Sequence, residues 1–184
     1  GERKVGVFSG TKEKEFKRQH DRFLEEARNM ALFSKDKDIV NVYDFFEEND
    51  TAYIIMEHVD APLLKDRLKK GRISEEEACG YMQALLQALD KVHRQGIIHK
   101  DISSDNIFLT GADSIKLFDF GAAKFQGTET ERTISIVVKS GYTPPEQYSS
   151  ESEQGVYMDI YAAGAVFYEM VTGKKPTDAL DRIV

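Results

Sequence analysis

Three polar residues in the second half of the chain have the types and spacing that phosphoryl transfer requires. They are Asp101, Asn106 five residues later, and Asp119. The reaction needs a carboxylate that orients and deprotonates an attacking hydroxyl, and it needs oxygen ligands for Mg²⁺. Asp101 would be the base, and Asn106 and Asp119 would supply one neutral and one charged ligand. Gly121 gives the backbone freedom to aim Asp119 into a cleft.

Each of these residues also has an ordinary structural explanation. Asp101 and Asn106 could be turn or helix-cap residues. His99 stands after Ile97 and Ile98, which indicates burial and a packing role rather than catalysis. The spacing of the whole set, rather than any one residue, favours the chemical interpretation.

The first third of the chain has the pattern of one helix and one hairpin. Residues 12–33 place apolar side chains on one face and Lys and Glu on the other, which predicts an amphipathic helix. Two apolar, β-branched and aromatic runs within residues 39–56 are separated by residues 47–50, which predicts a β-hairpin.

The rest of the chain has a helical pattern on both sides of the candidate site. Ser74 and Glu77 form a capping box that opens a helix ending at Gly96. Residues 97–121 predict short strands and turns, residues 122–150 a long loop, and residues 160–171 a buried helix. A strand-rich front and a helical back predict an α+β fold in two unequal lobes.

Composition and charge limit the partners. The 184 residues are 41% hydrophobic and carry a net charge of -7, which argues against non-specific binding to nucleic acid or anionic membrane. The sequence contains neither a signal peptide nor an apolar run that could span a bilayer. Cys79 is the single cysteine, so the compartment is expected to be reducing and cytoplasmic. The oligomeric state and an anchor outside this stretch stay open.

Taken in order, these motifs resemble the protein kinase family, and the resemblance covers nearly the whole chain. The motifs of that family stand here as His99-Lys100-Asp101 with Asn106, Asp119-Phe120-Gly121 and Pro144-Pro145-Glu146. Residues 141–148 are similar to bacterial members. The resemblance implies a protein kinase-like bilobal fold with a partial small lobe at 1–57 and a partial large lobe at 58–184. The catalytic loop would be 97–108, the activation segment 119–146 and the buried helix 159–171.

The resemblance also implies an activity and a set of roles. The domain would transfer the γ-phosphate of ATP, with Mg²⁺, to Ser or Thr of a protein substrate. Asp101 would accept the substrate proton, and Asn106 and Asp119 would hold the metal. The nucleotide site would comprise Glu26 as an ion-pairing residue, Met56 as gatekeeper, the backbone of Glu57 and Val59, and Phe108 as the adenine floor. A packed stack would consist of Met30, Val42, His99 and Phe120, anchored by Asp159.

The sequence departs from the family pattern in three ways. No Gly-rich loop precedes residue 12 and no strand lysine precedes Glu26, so we expect a domain cut at both ends and inactive by itself. Lys100 replaces the Arg of the catalytic loop. Ser103 stands where the family has Lys, and Lys139, seven residues before Glu146, stands where the family has Thr.

The last departure predicts an exchange of side chains across the site. Lys139 Nζ is expected within roughly 4 Å of an Asp101 oxygen, or to reach it through one water, with Ser103 as its hydrogen-bond partner. A cation there would screen the charge of the transferring phosphate. The ordinary alternative is that Lys139 is a solvated loop residue.

Two other functions stay open on the sequence alone. One is a pseudokinase or remnant that acts as a binding module, which the missing Gly-rich loop and strand lysine favour. The other is a small-molecule phosphotransferase, which shares the three polar residues, although the long activation segment favours a protein substrate. Regulatory phosphorylation would fall on Thr128, Thr130, Thr133 or Ser135, which could equally be plain loop residues.

Overall fold

The computed structural model describes residues 11–49, 51–125, 138–149 and 152–183. Its architecture is α+β, as the sequence predicts. The helices are α1 (Thr11–Ala31), α2 (Leu64–Leu68), α3 (Glu75–Arg94) and α4 (Tyr157–Thr172), with short 3-10 turns at Pro145–Tyr148 and Leu180–Arg182. The strands are β1 (Val42–Glu48), β2 (Thr51–Met56), β3 (Ile97–Ile98), β4 (Ile107–Gly111), β5 (Ser114–Leu117) and β6 (Lys124–Phe125).

The described strands form three antiparallel pairs, β1 with β2, β3 with β6, and β4 with β5. The predicted hairpin begins later than the sequence pattern suggests. Ile39 is fully buried and makes a parallel bridge to Leu117 of β5 instead of pairing with β2. Val40 N–H donates to the Leu117 carbonyl at 2.9 Å, and Leu117 N–H donates to the Asp38 carbonyl at 2.8 Å. The segment before β1 is therefore hydrogen-bonded to β5 rather than to β2.

Helix α1 turns one apolar stripe inward, formed by Leu24, Ala27 and Met30. Phe23, an apolar residue of the same predicted helix, does not lie on this stripe and is 39% exposed. The reason is geometric, because neighbouring residues of a helix point about 100° apart and Leu24 already occupies the inward direction.

Helix α3 begins where the capping box predicts. Ser74 is the N-cap, and its hydroxyl oxygen accepts the Glu77 N–H at 3.3 Å. The inward face of α3 packs against α4, which is apolar nearly all round. Buried residues of α1, α3, α4 and the strands form one continuous hydrophobic core, so the candidate site rests on a rigid base.

Candidate functional site

The pairing of β4 with β5 brings Asn106 and Asp119 to the same end of a two-stranded sheet. Asn106 directly precedes β4, and Asp119 follows β5 by two residues. Ile107 pairs with Leu117, and Phe118 N–H donates to the Asn106 carbonyl at 3.2 Å. Two oxygen-bearing side chains far apart in sequence thus come from adjacent strand ends.

Asp101 is oriented by Asn106. The Asn106 Nδ2 group donates to both the carbonyl oxygen and Oδ2 of Asp101, each at 2.8 Å. The Asp101 side chain is only 13% exposed. Because the amide nitrogen of Asn106 is directed at Asp101, its amide oxygen is the atom that remains as a cation ligand.

Asp119 has a backbone conformation that is rare outside glycine, with φ of 66°. Its Oδ1 accepts the Gly121 N–H at 3.2 Å. Position 121 has little room for a side chain, because a Cβ there would lie 3.2 Å from both Asp119 Oδ1 and Glu26 Oε2. Strained backbone of this kind is concentrated at functional sites.

The stack expected behind the site is buried. Met30, Val42 and Phe120 belong to the core, and the rings of His99 and Phe120 are 4.6 Å apart. Burial lowers the pKa of His99, which keeps the imidazole neutral and suits a packing role.

Asp159 of α4 fixes the backbone of the two residues that precede Asp101. It is fully buried, and its carboxylate accepts the N–H groups of His99 and Lys100, each at 2.8 Å. His93 Nε2 lies 2.8 Å from the same carboxylate. Lys100 has φ of 68°, and Gln147 Nε2 donates to its carbonyl at 2.8 Å. Both backbone polar groups of Lys100, the residue before Asp101, thus have side-chain partners.

Lys139 lies where the predicted exchange requires it. Its Nζ is 3.4 Å from Asp101 Oδ1 and donates to Ser103 Oγ at 2.8 Å. The same ammonium is 3.3 Å from Asp105 Oδ2. Thr143 fixes the backbone at this point, because its Oγ1 accepts the Lys139 N–H at 2.7 Å. The predicted distance and hydrogen bond are both observed, and Lys139 is not a solvated loop residue.

The residues expected to bind adenine line the connection between β2 and α2 and the start of β4. Met56 is 42% exposed and Val59 is partly buried. Phe108 packs against Phe118 with ring centroids 4.9 Å apart. Glu57 N–H donates to the Asn41 carbonyl at 2.8 Å, so the peptide group of Glu57 that could meet a base is its carbonyl.

The Glu57 side chain has a structural task that sequence reasoning missed. It accepts Lys116 Nζ at 2.6 Å and Asn41 Nδ2 at 2.9 Å. Burial alone would raise the pKa of Glu57, but the Lys116 and Asn41 hydrogen bonds hold that pKa below its usual value. The segment between β2 and α2 is thereby joined to β5 by an ion pair.

Three further residues near the site had no sequence signal strong enough to single them out. Lys65 Nζ lies 3.0 Å from Asp105 Oδ1, and the Lys65 N–H donates to the Ser104 carbonyl at 2.9 Å. Tyr142, fully buried, donates its hydroxyl hydrogen to the Glu169 carboxylate. Asp105 could have been noticed as the neighbour of Asn106, whereas Lys65 is one of three consecutive charged residues on a short helix. The four candidate phosphorylation sites, Thr128, Thr130, Thr133 and Ser135, lie outside the described residues.

The donor set fits a magnesium–nucleotide complex. Mg²⁺ is held in such sites by one or two protein oxygen ligands, with phosphate and water oxygens completing the shell. Asn106 and Asp119 supply one amide and one carboxylate oxygen from adjacent strand ends. Within the described part of the chain, no group of three or more His, Cys, Asp and Glu side chains forms a metal cage by itself.

The site combines an oriented carboxylate on Asp101, an amide and a second carboxylate at adjacent strand ends, and an ammonium that faces Asp101. The family model for the protein kinase domain matches residues 3–183, and the chain therefore belongs to the protein kinase family. The sequence is 39% identical over 164 residues to a probable serine/threonine-protein kinase of Clostridium acetobutylicum, covering 86% of this chain and 24% of that protein. It is 37% identical over 185 residues to one of Clostridium perfringens, covering 95% and 26%.

A third relative is the serine/threonine-protein kinase PknB of Mycobacterium leprae, 34% identical over 162 residues, with 84% of this chain and 26% of that protein covered. The chain thus spans about a quarter of the length of the curated relatives it matches. These relatives identify the domain as a bacterial, Hanks-type protein kinase domain, and they do not favour the pseudokinase or small-molecule alternatives. Among the described residues, no helix has both the length and the apolar character needed to cross a membrane.

Proposed function

We propose that the protein containing this domain is a bacterial serine/threonine protein kinase that uses ATP and Mg²⁺ and acts on a protein substrate in the cytoplasm. The observation that carries the proposal is the arrangement around Asp101, with Asn106 at 2.8 Å on one side and Lys139 at 3.4 Å on the other. Relatives of this chain are named for the same activity.

In this proposal Asp101 is the general base. It accepts the proton of the substrate hydroxyl as that oxygen attacks the γ-phosphorus and the bond to the β-phosphate oxygen breaks, with ADP as the leaving group. Asn106 holds the Asp101 carboxylate in place through its hydrogen bond. Asn106 and Asp119 would hold the metal, which would supply positive charge to screen the phosphate oxygens.

Lys139 is proposed to supply the cation that faces the γ-phosphate. Negative charge must be screened throughout transfer, and a fixed ammonium in a partly buried site does this better than solvent. Ser103 is fully buried and accepts one Lys139 hydrogen at 2.8 Å, which aims the remaining donors towards Asp101 and its surroundings.

The nucleotide is proposed to lie over Phe108, with its base against the carbonyl of Glu57 and the N–H of Val59, beside Met56. Glu26 is proposed to pair with a lysine that fixes the phosphates. The division into a small lobe at residues 1–57 and a large lobe at 58–184 belongs to the same proposal.

Substitution of the base and of the charged ligand tests the function. In the full-length gene product, Asp101→Asn and Asp119→Asn should each lower kcat by about 10²–10⁴-fold, because each removes a group that acts in the transition state. The measurement is transfer of the γ-phosphate to a protein or peptide substrate at limiting Mg²⁺, with circular dichroism to show that the variants fold. Near-normal turnover by Asp119→Asn would refute the assignment.

A further inference from the structure

The Asp105 carboxylate lies between two lysines that come from different parts of the chain. Its Oδ1 is 3.0 Å from Lys65 Nζ of α2, and its Oδ2 is 3.3 Å from Lys139 Nζ. A charged bridge therefore runs from α2 to the cation beside Asp101.

The Asp105 carboxylate is the third acceptor around the Lys139 ammonium. An ammonium has three N–H donors, and three acceptor oxygens surround it here, on Ser103, Asp101 and Asp105. A lysine side chain is long and flexible, so its position depends on the contacts made by its end. The ammonium is nearly equidistant from the two carboxylates, at 3.4 Å from Asp101 Oδ1 and 3.3 Å from Asp105 Oδ2, so loss of either would draw it towards the other.

The position of Asp105 is in turn fixed by α2. The Lys65 side chain holds one carboxylate oxygen, and the Lys65 N–H donates to the Ser104 carbonyl at 2.9 Å, next to Asp105 in the chain. Lys65 is thus joined to the catalytic loop through both its backbone and its side chain.

We propose that Asp105 is a positioning residue that holds Lys139 at the catalytic carboxylate, and that Lys65 fixes Asp105 for this purpose. The inference rests on the proposed kinase function and adds two residues, Lys65 and Asp105, to the machinery. Asp105 and Ser103 each keep one contact to the Lys139 ammonium, so that its charge stays beside Asp101, where it would face the transferring phosphate. Helix α2 thereby influences turnover without touching the reacting atoms.

The test is the kinetics of Asp105→Asn and Lys65→Met in the full-length gene product, with a peptide substrate. Asp105→Asn should lower kcat about tenfold, within the range that coupled neighbours show, and leave the KM of the peptide within about twofold. Lys65→Met should lower kcat about threefold. Lys65→Arg, which keeps the charge, should recover most of that loss.

The matched control is Lys69→Met at the C-terminal cap of the same helix. Lys69 is paired with Asp66 at 2.7 Å and its side chain is 74% exposed, so its loss should leave kcat unchanged.

A double substitution decides whether Asp105 acts through Lys139. In a Lys139→Met background, Asp105→Asn should have no further effect on kcat, because the group it positions is gone. An equal loss of kcat in both backgrounds would overturn the inference, as would a rise in peptide KM with unchanged kcat, which would place Asp105 on the substrate. If Asp105→Asn does not fold, Lys65→Met in the two backgrounds gives the same decision. Wild-type turnover by Asp101→Asn would instead refute the proposed function.

Discussion

In the pattern that this chain resembles, the lysine and the hydroxyl stand at each other's positions, and here Lys139 and Ser103 are joined by a hydrogen bond. The buried Ser103 hydroxyl accepts a hydrogen bond from the Lys139 ammonium opposite it. Lys139 has its backbone fixed by Thr143 and only 28% of its side chain exposed. The role of these residues therefore depends more on where the ends of their side chains lie in the structure than on their positions in the sequence.

The exchange predicts a specific pattern of kinetic loss and recovery. Lys139→Met should lower kcat by about 10²–10³-fold, the cost of removing one group that stabilises transition-state charge. The double substitution Ser103→Lys with Lys139→Thr should recover part of kcat, because a lysine at position 103 would again place a cation beside Asp101. Steady-state kinetics of the full-length gene product checks both results. A kinetically silent Lys139→Met would show that the ammonium has no catalytic role.

At the scale of elements, the loop that carries Asp101 and the segment around Tyr142 are joined by buried side chains. The Tyr142 hydroxyl donates to Glu169 of α4 and lies 2.8 Å from Ser104 Oγ. All three residues are buried, and burial raises the pKa of Tyr142, so its hydroxyl keeps the hydrogen that it donates. Helix α4 thus fixes both the loop that carries Asp101 and the segment that carries Lys139.

Removal of this one hydroxyl should destabilise the fold measurably. Tyr142→Phe leaves the buried Glu169 carboxylate without its donor, and the free energy of unfolding should fall by about 1–3 kcal/mol. Tyr168→Phe is the matched control on α4, because Tyr168 is 48% exposed and its hydroxyl can bond to water. Denaturant unfolding of the three proteins provides the comparison. Equal stabilities for Tyr142→Phe and the parent protein would mean that the buried network contributes nothing.

For the molecule as a whole, the local patterns predicted the elements better than the connections between them. Periodicity and capping signals indicated α3 because its apolar face and its Ser74 cap lie within one stretch of sequence. The bridge from Ile39 to Leu117 could not be predicted in this way, since it joins residues far apart and is decided by burial. The five-residue helix α2 was also missed, because one turn and a half leaves no periodicity to detect.

The same distinction holds for the site. Asp101, Asn106 and Asp119 were predicted from the spacing that their chemistry requires. Lys65 and Asp105 were not, because an ion pair between a short helix and a loop leaves no trace in either local sequence. Contacts of this kind depend on tertiary packing and must be read from the structure.

Asp38 and Lys91 link the segment before β1 to α3, and their pairing should make the stability of the whole molecule depend on pH. Lys91 Nζ lies 2.8 Å from both Asp38 Oδ2 and Asp36 Oδ1, and Lys37 Nζ lies 3.0 Å from Asp38 Oδ1. Burial alone would raise the pKa of Asp38, but the hydrogen bonds from Lys91 and Lys37 hold it below the ordinary value of 3.8. Asp38 thus contributes stability that is complete above pH values near 4 and is lost as the pH falls through the lowered pKa.

Lys91→Met should therefore lower the free energy of unfolding at neutral pH by about 1–3 kcal/mol, because it leaves a carboxylate whose side chain is 3% exposed without its main partner. It should also flatten the decline in stability below pH 4, since the Asp38 pKa then returns towards its unfolded value. The control is Arg94→Met on the same helix, which removes a pair to Asp90 whose side chains are 75% and 58% exposed and should cost less than about 1 kcal/mol. Denaturant titrations from pH 3 to 7 measure all three proteins. Parallel pH profiles for Lys91→Met and Arg94→Met would show that the lowered Asp38 pKa does not depend on Lys91.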